Sequence, residues 1–171
     1  MVTLYGTHFA LRPLRMSDLE SLLVHINDRA VARNTLTIPY PCRRREERTW
    51  LRGAVHKKKG QVLWAIDVDG RAVGTIGLHH LESRHKAELG YWLGRDYWGQ
   101  GIVTEAVELV THYAFSTLHL RRVYAYVFPF NGGSQRVLEK AGYVREGLLR
   151  KNVNKKGKIL DEIVYAKIRS R

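Results

Sequence analysis

The chain has little of what several protein classes depend on. It has one cysteine, Cys42, which excludes an internal disulfide and a zinc site of clustered thiolates. It has no apolar run of 18 residues that would span a bilayer. Arg12 and Arg15 interrupt the apolar residues near the start, so no secretory signal peptide is expected. These features predict a protein of a reducing compartment, the cytoplasm.

The composition predicts a globular protein with a strongly basic surface. The 171 residues include four Trp, nine Tyr and four Phe, which excludes a disordered class and predicts one domain over 1–171. The formal net charge is +13, and such a field attracts polyanions. The basic runs are 43–45, 57–59 and 155–158, and we interpret them as solvated faces, with RNA contact as the alternative. No RNA-binding aromatic signature accompanies them.

Hydrophobic periodicity predicts the order β α α β β β α β α β β. The strands are an opening strand with Phe9, Leu11 and Leu14, then 61–68, 71–81, 87–93, 121–128, 143–151 and 159–169. The helices are one behind a capping box at Ser17 and Glu20, one around 50–55, one over 103–114 and one over 134–141. The segment strand, helix, strand over 87–128 predicts a parallel pair. This order is that of a mixed α/β fold with helices on both faces of a twisted sheet.

The stretch 89–106 (LGYWLGRDYWGQGIVTEA) joins a strand to a helix through a turn that carries Gly99 and Gly101. Glycines allow close approach of a ligand to the backbone, and the first N–H groups of a helix attract anions. The turn is therefore a predicted diphosphate site. A triphosphate loop G-x-x-x-x-G-K-[ST] does not occur in the chain, and Thr104 stands where a dinucleotide fingerprint has its third glycine.

Three blocks together resemble the GCN5-related N-acetyltransferases (GNAT), and within them the branch of the ribosomal-protein N-terminal acetyltransferases. They are 98–106 (WGQGIVTEA), 131–147 with its N-x-x-S, EK-x-G-Y and EG elements, and 157–165. Trp98 and Val103 depart from the commonest form of the superfamily's loop, although the W-G-Q-G form is familiar in this branch. The resemblance covers nearly the whole chain. It implies a mostly antiparallel sheet with one parallel, splayed pair of strands.

The resemblance also implies acetyl-CoA as cosubstrate, without a metal. The pantetheine arm would lie between the strands 89–93 and 123–127, and a main-chain N–H near Tyr91, Trp92 or Leu93 would polarise the thioester carbonyl. The pyrophosphate would bind the loop and the helix start. The implied cofactor-binding residues are Tyr91, Trp92, Leu93, Gly99, Gln100, Gly101, Ile102, Val103, Thr104, Asn131 and Ser134.

Catalytic residues are predicted at three positions. Many GNAT enzymes carry a Tyr seven residues after the Asn, and here that position is Leu138, so Ser134 is the candidate acid at the thiolate; a helix cap is the alternative. Glu88 is the candidate general base, because burial would raise its pKa, and surface pairing with Lys86 or Arg84 is the alternative. Asp161 matches a carboxylate of the branch's last hairpin and is expected to bind the amine or assist the base. Its alternative is a turn residue.

A histidine pair and the single cysteine raise two other possibilities, a metal site and a nucleophilic thiol. His79 and His80 would point to opposite faces of a strand, which argues against one shared metal ion, while one of them could face the acceptor. Cys42 lies beside Pro41 and a basic run, an environment that lowers a thiol pKa, although no partner motif for a nucleophile accompanies it.

The predicted function is transfer of an acetyl group to a primary amine by direct attack in a ternary complex. The branch indicates a protein N-terminal α-amine, with a ribosome or RNA nearby and a monomer or homodimer as the assembly. A small amine such as a polyamine or an aminoglycoside is the alternative within that chemistry. A non-catalytic RNA- or ribosome-binding module on the same fold is the alternative of another class, and it would show steep salt dependence.

Overall fold

The computed structural model describes residues 2–56 and 59–170. The strands are β1 (Leu4–Tyr5), β2 (Ala10–Pro13), β3 (Val62–Val68), β4 (Arg71–Glu82), β5 (Lys86–Leu93), β6 (Arg122–Val127), β7 (Val144–Lys155) and β8 (Lys158–Ile168). The helices are α1 (Leu19–Ile26), α2 (Arg29–Asn34), α3 (Arg44–Val55), α4 (Ile102–Ser116) and α5 (Gly132–Lys140). Short 3₁₀ turns cover Met16–Asp18 and Arg95–Tyr97.

The strands form one sheet in the order β1-β2-β3-β4-β5-β6-β8-β7. Every neighbouring pair is antiparallel except β5 and β6, which are parallel and joined through α4. This arrangement confirms the predicted mixed α/β fold with its one parallel pair. The final hairpin, β7 and β8, enters the sheet through β8, which pairs with β6.

Side chains alternate across the sheet and build a core on each face. Trp64 and Ile66 of β3 pack with the apolar stripe of α4, including Ala106 and Val110. Leu63 and Ala65, the intervening residues of β3, pack on the other face with α1 and α3. Because successive side chains of a strand point to opposite faces, both faces of the sheet present apolar residues to the helices packed on them.

The parallel pair holds together at one end only. Register pairs join Lys86 to Arg122, Ala87 to Val123 and Glu88 to Tyr124, and none follows although both strands continue. Beyond Glu88 the strands diverge, which leaves one edge of each without a partner strand. The predicted splay between these two segments is therefore present from residue 89 onward.

Two elements and one cap differ from the sequence prediction. The short edge strand β1 and the helix α2 were not predicted, although Asp28 is an effective N-cap of α2, accepting from the N–H groups of Ala30 and Val31. The predicted capping box at Ser17 and Glu20 is wrong. Asp18 instead accepts a hydrogen bond from the Arg15 N–H at 2.8 Å, so the cap belongs to the 3₁₀ turn that precedes α1.

Candidate active site

A single cleft of about 1260 Å³ runs through the gap between β5 and β6. One half is lined by the turn before α4 and the start of α5, and we call it the cofactor half (Tyr91, Gly99, Gly101–Thr104, Asn131, Ser134). The other half is lined by carboxylates from α3, β5 and β8, and we call it the acceptor half (Glu47, Glu88, Glu162). All predicted site residues line this cleft except Gln100 and Asp161.

The turn before α4 has the conformation that only glycine adopts readily. Gly99 has φ +77° and Gly101 has φ +81°, and a Cβ added at either would project into open space. Gly101 is the N-cap of α4 and has no side chain to accept from the first N–H groups of that helix. Those N–H groups and the positive end of the helix dipole therefore offer a cradle for an anion. These features fit the diphosphate of coenzyme A.

Two side chains hold the turn in shape. The Trp98 indole N–H donates to the Leu93 carbonyl oxygen at 2.8 Å, and the Gln100 amide donates to the Asp96 carbonyl oxygen at 2.9 Å. Gln100 therefore faces its own turn, and its side chain does not line the cleft. Trp98 also lines the cleft and remains 41% exposed.

The free edge of β5 presents main-chain donors to the gap. The Gly94 N–H bonds to the Val73 carbonyl oxygen at 2.8 Å, so alternation along the antiparallel ladder directs the Trp92 N–H to β4 as well. The N–H groups of Tyr91 and Leu93 then point to the splayed side. Of the three predicted positions, these two have the geometry to polarise a carbonyl in the gap.

Ser134 and Tyr91 form a pair of hydroxyls across the cofactor half. Their oxygens lie 2.6 Å apart. Asn131, not Ser134, is the side-chain cap of α5, because its Oδ1 accepts from the Ser134 N–H at 3.1 Å. Burial raises the pKa of Tyr91 to about 12, so Tyr91 is protonated at neutral pH and can donate to Ser134. Leu138 is fully buried in the core and brings no hydroxyl to the cleft.

Glu88 lies where the two strands separate. Burial raises the pKa of its carboxyl, His80 opposes that shift, and Glu162 adds to it. The Glu88 Oε2 lies 3.8 Å from the His80 Nε2, whereas Lys86 pairs with Glu82. The alternative of surface pairing with Lys86 or Arg84 is therefore wrong, and Glu88 is a half-buried carboxyl inside the cleft.

His79 and His80 both line the cleft, contrary to the alternation expected of a regular strand. The β4–β5 register shifts between His79 and Glu82, and His80 has φ +47°. This bulge turns His80 toward Glu88. Burial lowers the pKa of His79, which favours its neutral form. Among residues 2–56 and 59–170, no three metal-ligating side chains come together.

Glu162 was missed by the sequence analysis and occupies the place expected of Asp161. It is 6% exposed, lines the cleft, and its Oε2 accepts from the Asn152 amide at 2.8 Å. Asp161 accepts from the Lys151 N–H at 2.7 Å beside the bulge of β7 and does not line the cleft. Alternation with the buried Ile163 and Tyr165 was the available signal, because it places Glu162 on the opposite face.

Cys42 is a buried thiol and not an activated one. Burial raises its pKa to about 11, with Glu47 adding to the shift. Its Sγ donates to the Glu47 Oε2 at 3.8 Å. The expectation of a lowered pKa is wrong because the side chain is buried in the core beside the Glu47 carboxyl.

The three basic runs have different environments. Arg44 pairs with Glu20 on the surface. Lys155 is half-buried, and its Nζ donates to the carbonyl oxygens of Ala32, Arg33 and Thr35 at the end of α2. Lys155 is thus a structural cap of α2, and the prediction that its run is a solvated face is wrong at this residue. In the run 57–59, Lys57 and Lys58 lie outside the described residues.

The comparison with family models decides the family. The model for the acetyltransferase (GNAT) domain matches residues 8–144. The chain belongs to the GNAT acetyltransferases.

Two relatives illustrate the likeness. YjcK of Bacillus subtilis (strain 168), described as a probable N-acetyltransferase, is 47% identical over 100 residues, 57% of this chain and 55% of YjcK. The chain thus aligns with about half the length of that relative. A crystal structure of a protein from T. thermophilus superposes with a TM-score of 0.87 and 35% identity, covering 98% of this chain and 89% of the other.

Ribosomal-protein acetyltransferases are among the more distant neighbours. The ribosomal-protein-serine acetyltransferase of Escherichia coli (strain K12) is 29% identical over 97 residues, 56% of this chain and 55% of that protein. The structure of RimL, an acetyltransferase of ribosomal L7/L12 that holds coenzyme A, superposes with a TM-score of 0.85 at 23% identity and covers 98% of both chains, which shows a shared fold. No helix among the described residues has the length and apolar character needed to cross a membrane.

Proposed function

We propose that the chain transfers the acetyl group of acetyl-CoA to a primary amine, and that the acceptor is a protein N-terminal α-amine. The observation that carries the proposal is the continuity of one cleft from the glycine turn, through the splayed strands, to Glu88. A phosphate cradle, a main-chain donor and a half-buried carboxyl thus lie along one path. Acetyl transfer from a thioester to an amine needs these groups.

The cofactor half would hold coenzyme A through the main chain. The N–H groups from Gly99 to Thr104 bind the pyrophosphate, and two α5 residues that line the cleft, Arg136 and Lys140, add positive charge. Bound in this way, acetyl-CoA supplies an activated thioester. The N–H of Tyr91 or Leu93 stabilises the negative charge that develops on the carbonyl oxygen.

Side chains on either side of the thioester would handle the protons. Glu88 accepts the proton that the amine loses as its nitrogen bonds to the carbonyl carbon. As the carbon–sulfur bond breaks, Ser134 gives its proton to the sulfur and takes a replacement from the Tyr91 hydroxyl, which then regains a proton from solvent. Positioning both reactants in one cleft lowers the barrier further.

The choice of a protein N-terminus draws on the ribosomal-protein acetyltransferases among the neighbours. A small polyamine is the second candidate, and Glu88 and Glu162 in the acceptor half favour it because carboxylates attract cations. A free α-amine has a pKa of about 8, so a carboxyl of raised pKa suffices as its base.

The proposal is tested by incubating the protein with labelled acetyl-CoA and a cell lysate, and identifying the acetylated product by mass spectrometry. We expect label at protein N-termini. If only polyamines were labelled, the proposed acceptor would be wrong, while the proposed acetyl transfer to an amine would stand. If RNA raised the melting temperature and acetyl-CoA did not, the enzymatic function would be excluded. A non-catalytic RNA-binding function would then be favoured.

A further inference from the structure

Glu47 is buried in the acceptor half with half of its carboxyl unsatisfied. The side chain belongs to α3, and the residue is 3% exposed. Cys42 donates to Oε2, while Oε1 is the only fully buried side-chain polar atom without a hydrogen-bond partner in the described part of the chain. Buried polar groups are almost always hydrogen-bonded, so we expect a hydrogen-bond donor to bind this oxygen.

The surroundings of Glu47 restrict what that donor is. The same end of the cleft is lined by the buried apolar side chains of Ile26, Val31 and Leu63, and Trp50 lies one helical turn from Glu47 at 40% exposure. A buried carboxyl within an apolar lining suits a group with an alkyl stem and a cationic head. Alkylammonium and guanidinium groups have that chemistry.

We propose that Glu47 binds a positively charged group of the acceptor, separate from the amine that is acetylated. The proposal rests on the proposed function, since it assigns a substrate class to the same cleft. The alkyl part of the acceptor packs against the apolar lining, and its cationic head donates to Oε1. The acceptor is then either a peptide with a basic side chain near its N-terminus or a linear diamine.

A purely structural role does not explain why a carboxyl is buried at position 47. Burying a carboxyl without full pairing destabilises a protein, and apolar side chains of similar volume usually stabilise such sites. Burial raises the pKa of Glu47 to about 7, so without a partner the carboxyl is only partly ionised near neutral pH. A cation at Oε1 favours the ionised form and offsets the penalty of burial.

The test compares acceptors that differ only in charge. Peptides with arginine at the second position are measured against the same peptides with citrulline, a neutral isostere whose side chain, like that of arginine, is not itself a target for acetylation. Linear diamines of increasing length are measured against the matching monoamines. We expect the cationic acceptor of one series to have a KM lower by about tenfold or more, with kcat little changed.

Glu47→Gln then separates binding from packing, with Glu108→Gln on the exposed face of α4 as the matched control. We expect Glu47→Gln to abolish the preference for the cationic acceptor while the KM values of the neutral acceptor and acetyl-CoA, and the Tm, stay near wild type. The control should retain the preference.

Several outcomes would overturn the proposal. Equal KM values for arginine and citrulline peptides, together with no preference for diamines, remove it and leave the acetyltransferase function intact. A preference that persists in Glu47→Gln does the same. If that variant loses affinity for charged and neutral acceptors alike and melts earlier, Glu47 is a packing residue. Acetylation of no amine at all would remove the proposed function and this inference together.

Discussion

The two halves of the cleft are built by different means. The cofactor half draws on main-chain N–H groups of a short, continuous segment around Gly101, whose shape follows from backbone conformation. The acceptor half depends on side chains of Glu47, Glu88 and Glu162, which come from three separate elements. A site made from backbone tolerates varied side chains around it, whereas a site made from side chains changes its ligand with a single substitution.

The comparison predicts that the largest effect comes from blocking the backbone cradle. In Gly101→Asp, a carboxylate would project into the open space before α4 and repel the diphosphate. We expect acetyl-CoA affinity to fall on the order of a hundredfold, measured by titration calorimetry. Gly70→Asp is the matched control, because Gly70 has φ +80° and open space but does not line the cleft. Unchanged affinity in Gly101→Asp would remove this turn as the phosphate site.

The second largest effect is expected in the acceptor half at Glu88. We expect Glu88→Gln to lower kcat about a hundredfold near neutral pH, with acetyl-CoA affinity unchanged. A raised pKa means that Glu88 becomes a base only as pH rises above the ordinary carboxyl range. Above about pH 8 the acceptor α-amine is largely free without help, so the deficit of the variant should shrink there. A pH–rate profile with the same shape in both proteins would exclude Glu88 as the base.

This contrast also explains how much of the site the sequence could reveal. Gly99 and Gly101 lie two residues apart between a strand and a helix, so local pattern was enough to predict an anion site. Glu47 carries no local signal of that kind, because its place depends on how α3 packs against the sheet. Glu162 did carry one, since it alternates with the buried Ile163 and Tyr165, whereas Asp161 shares their parity along β8.

The fold was predictable to a similar degree and for a similar reason. Alternation and helical periodicity gave the central strands and α4, since their apolar residues face a core on fixed periods. The helix α2 has six residues and two buried apolar side chains, too few to establish a period. The prediction that His79 and His80 point to opposite faces was wrong because of the bulge at His80. An extra residue at a bulge shifts the alternation of the side chains that follow.

A smaller effect is expected where the two halves meet, at the hydroxyl pair of Tyr91 and Ser134. If Tyr91 acts only through Ser134, then Ser134→Ala and Tyr91→Phe each lower kcat about tenfold, and the double variant is no worse than Ser134→Ala. Single-turnover kinetics of all three proteins measure this, with Ser116→Ala on the exposed end of α4 as the control. Multiplied effects in the double variant would mean that the two hydroxyls act independently.

The smallest effect is expected at Lys155, which supports the acceptor half from a distance. Its Nζ donates to three carbonyl oxygens at the end of α2, the helix that carries Arg33 to the cleft. We expect Lys155→Met to lower the free energy of unfolding by about 1–2 kcal/mol and to raise the acceptor KM a few-fold, because those oxygens lose a charged donor.

The same substitution at Lys158, which is exposed on the same hairpin, provides the control and should leave both quantities unchanged. Acetyl-CoA affinity should also stay constant in Lys155→Met, since the cradle before α4 makes no contact with α2 through this lysine. Chemical denaturation and initial-rate kinetics measure the two effects separately. If Lys155→Met lowered the affinity for acetyl-CoA as much as the affinity for the acceptor, the two halves would be mechanically coupled. A change in the acceptor half would then always disturb the phosphate site.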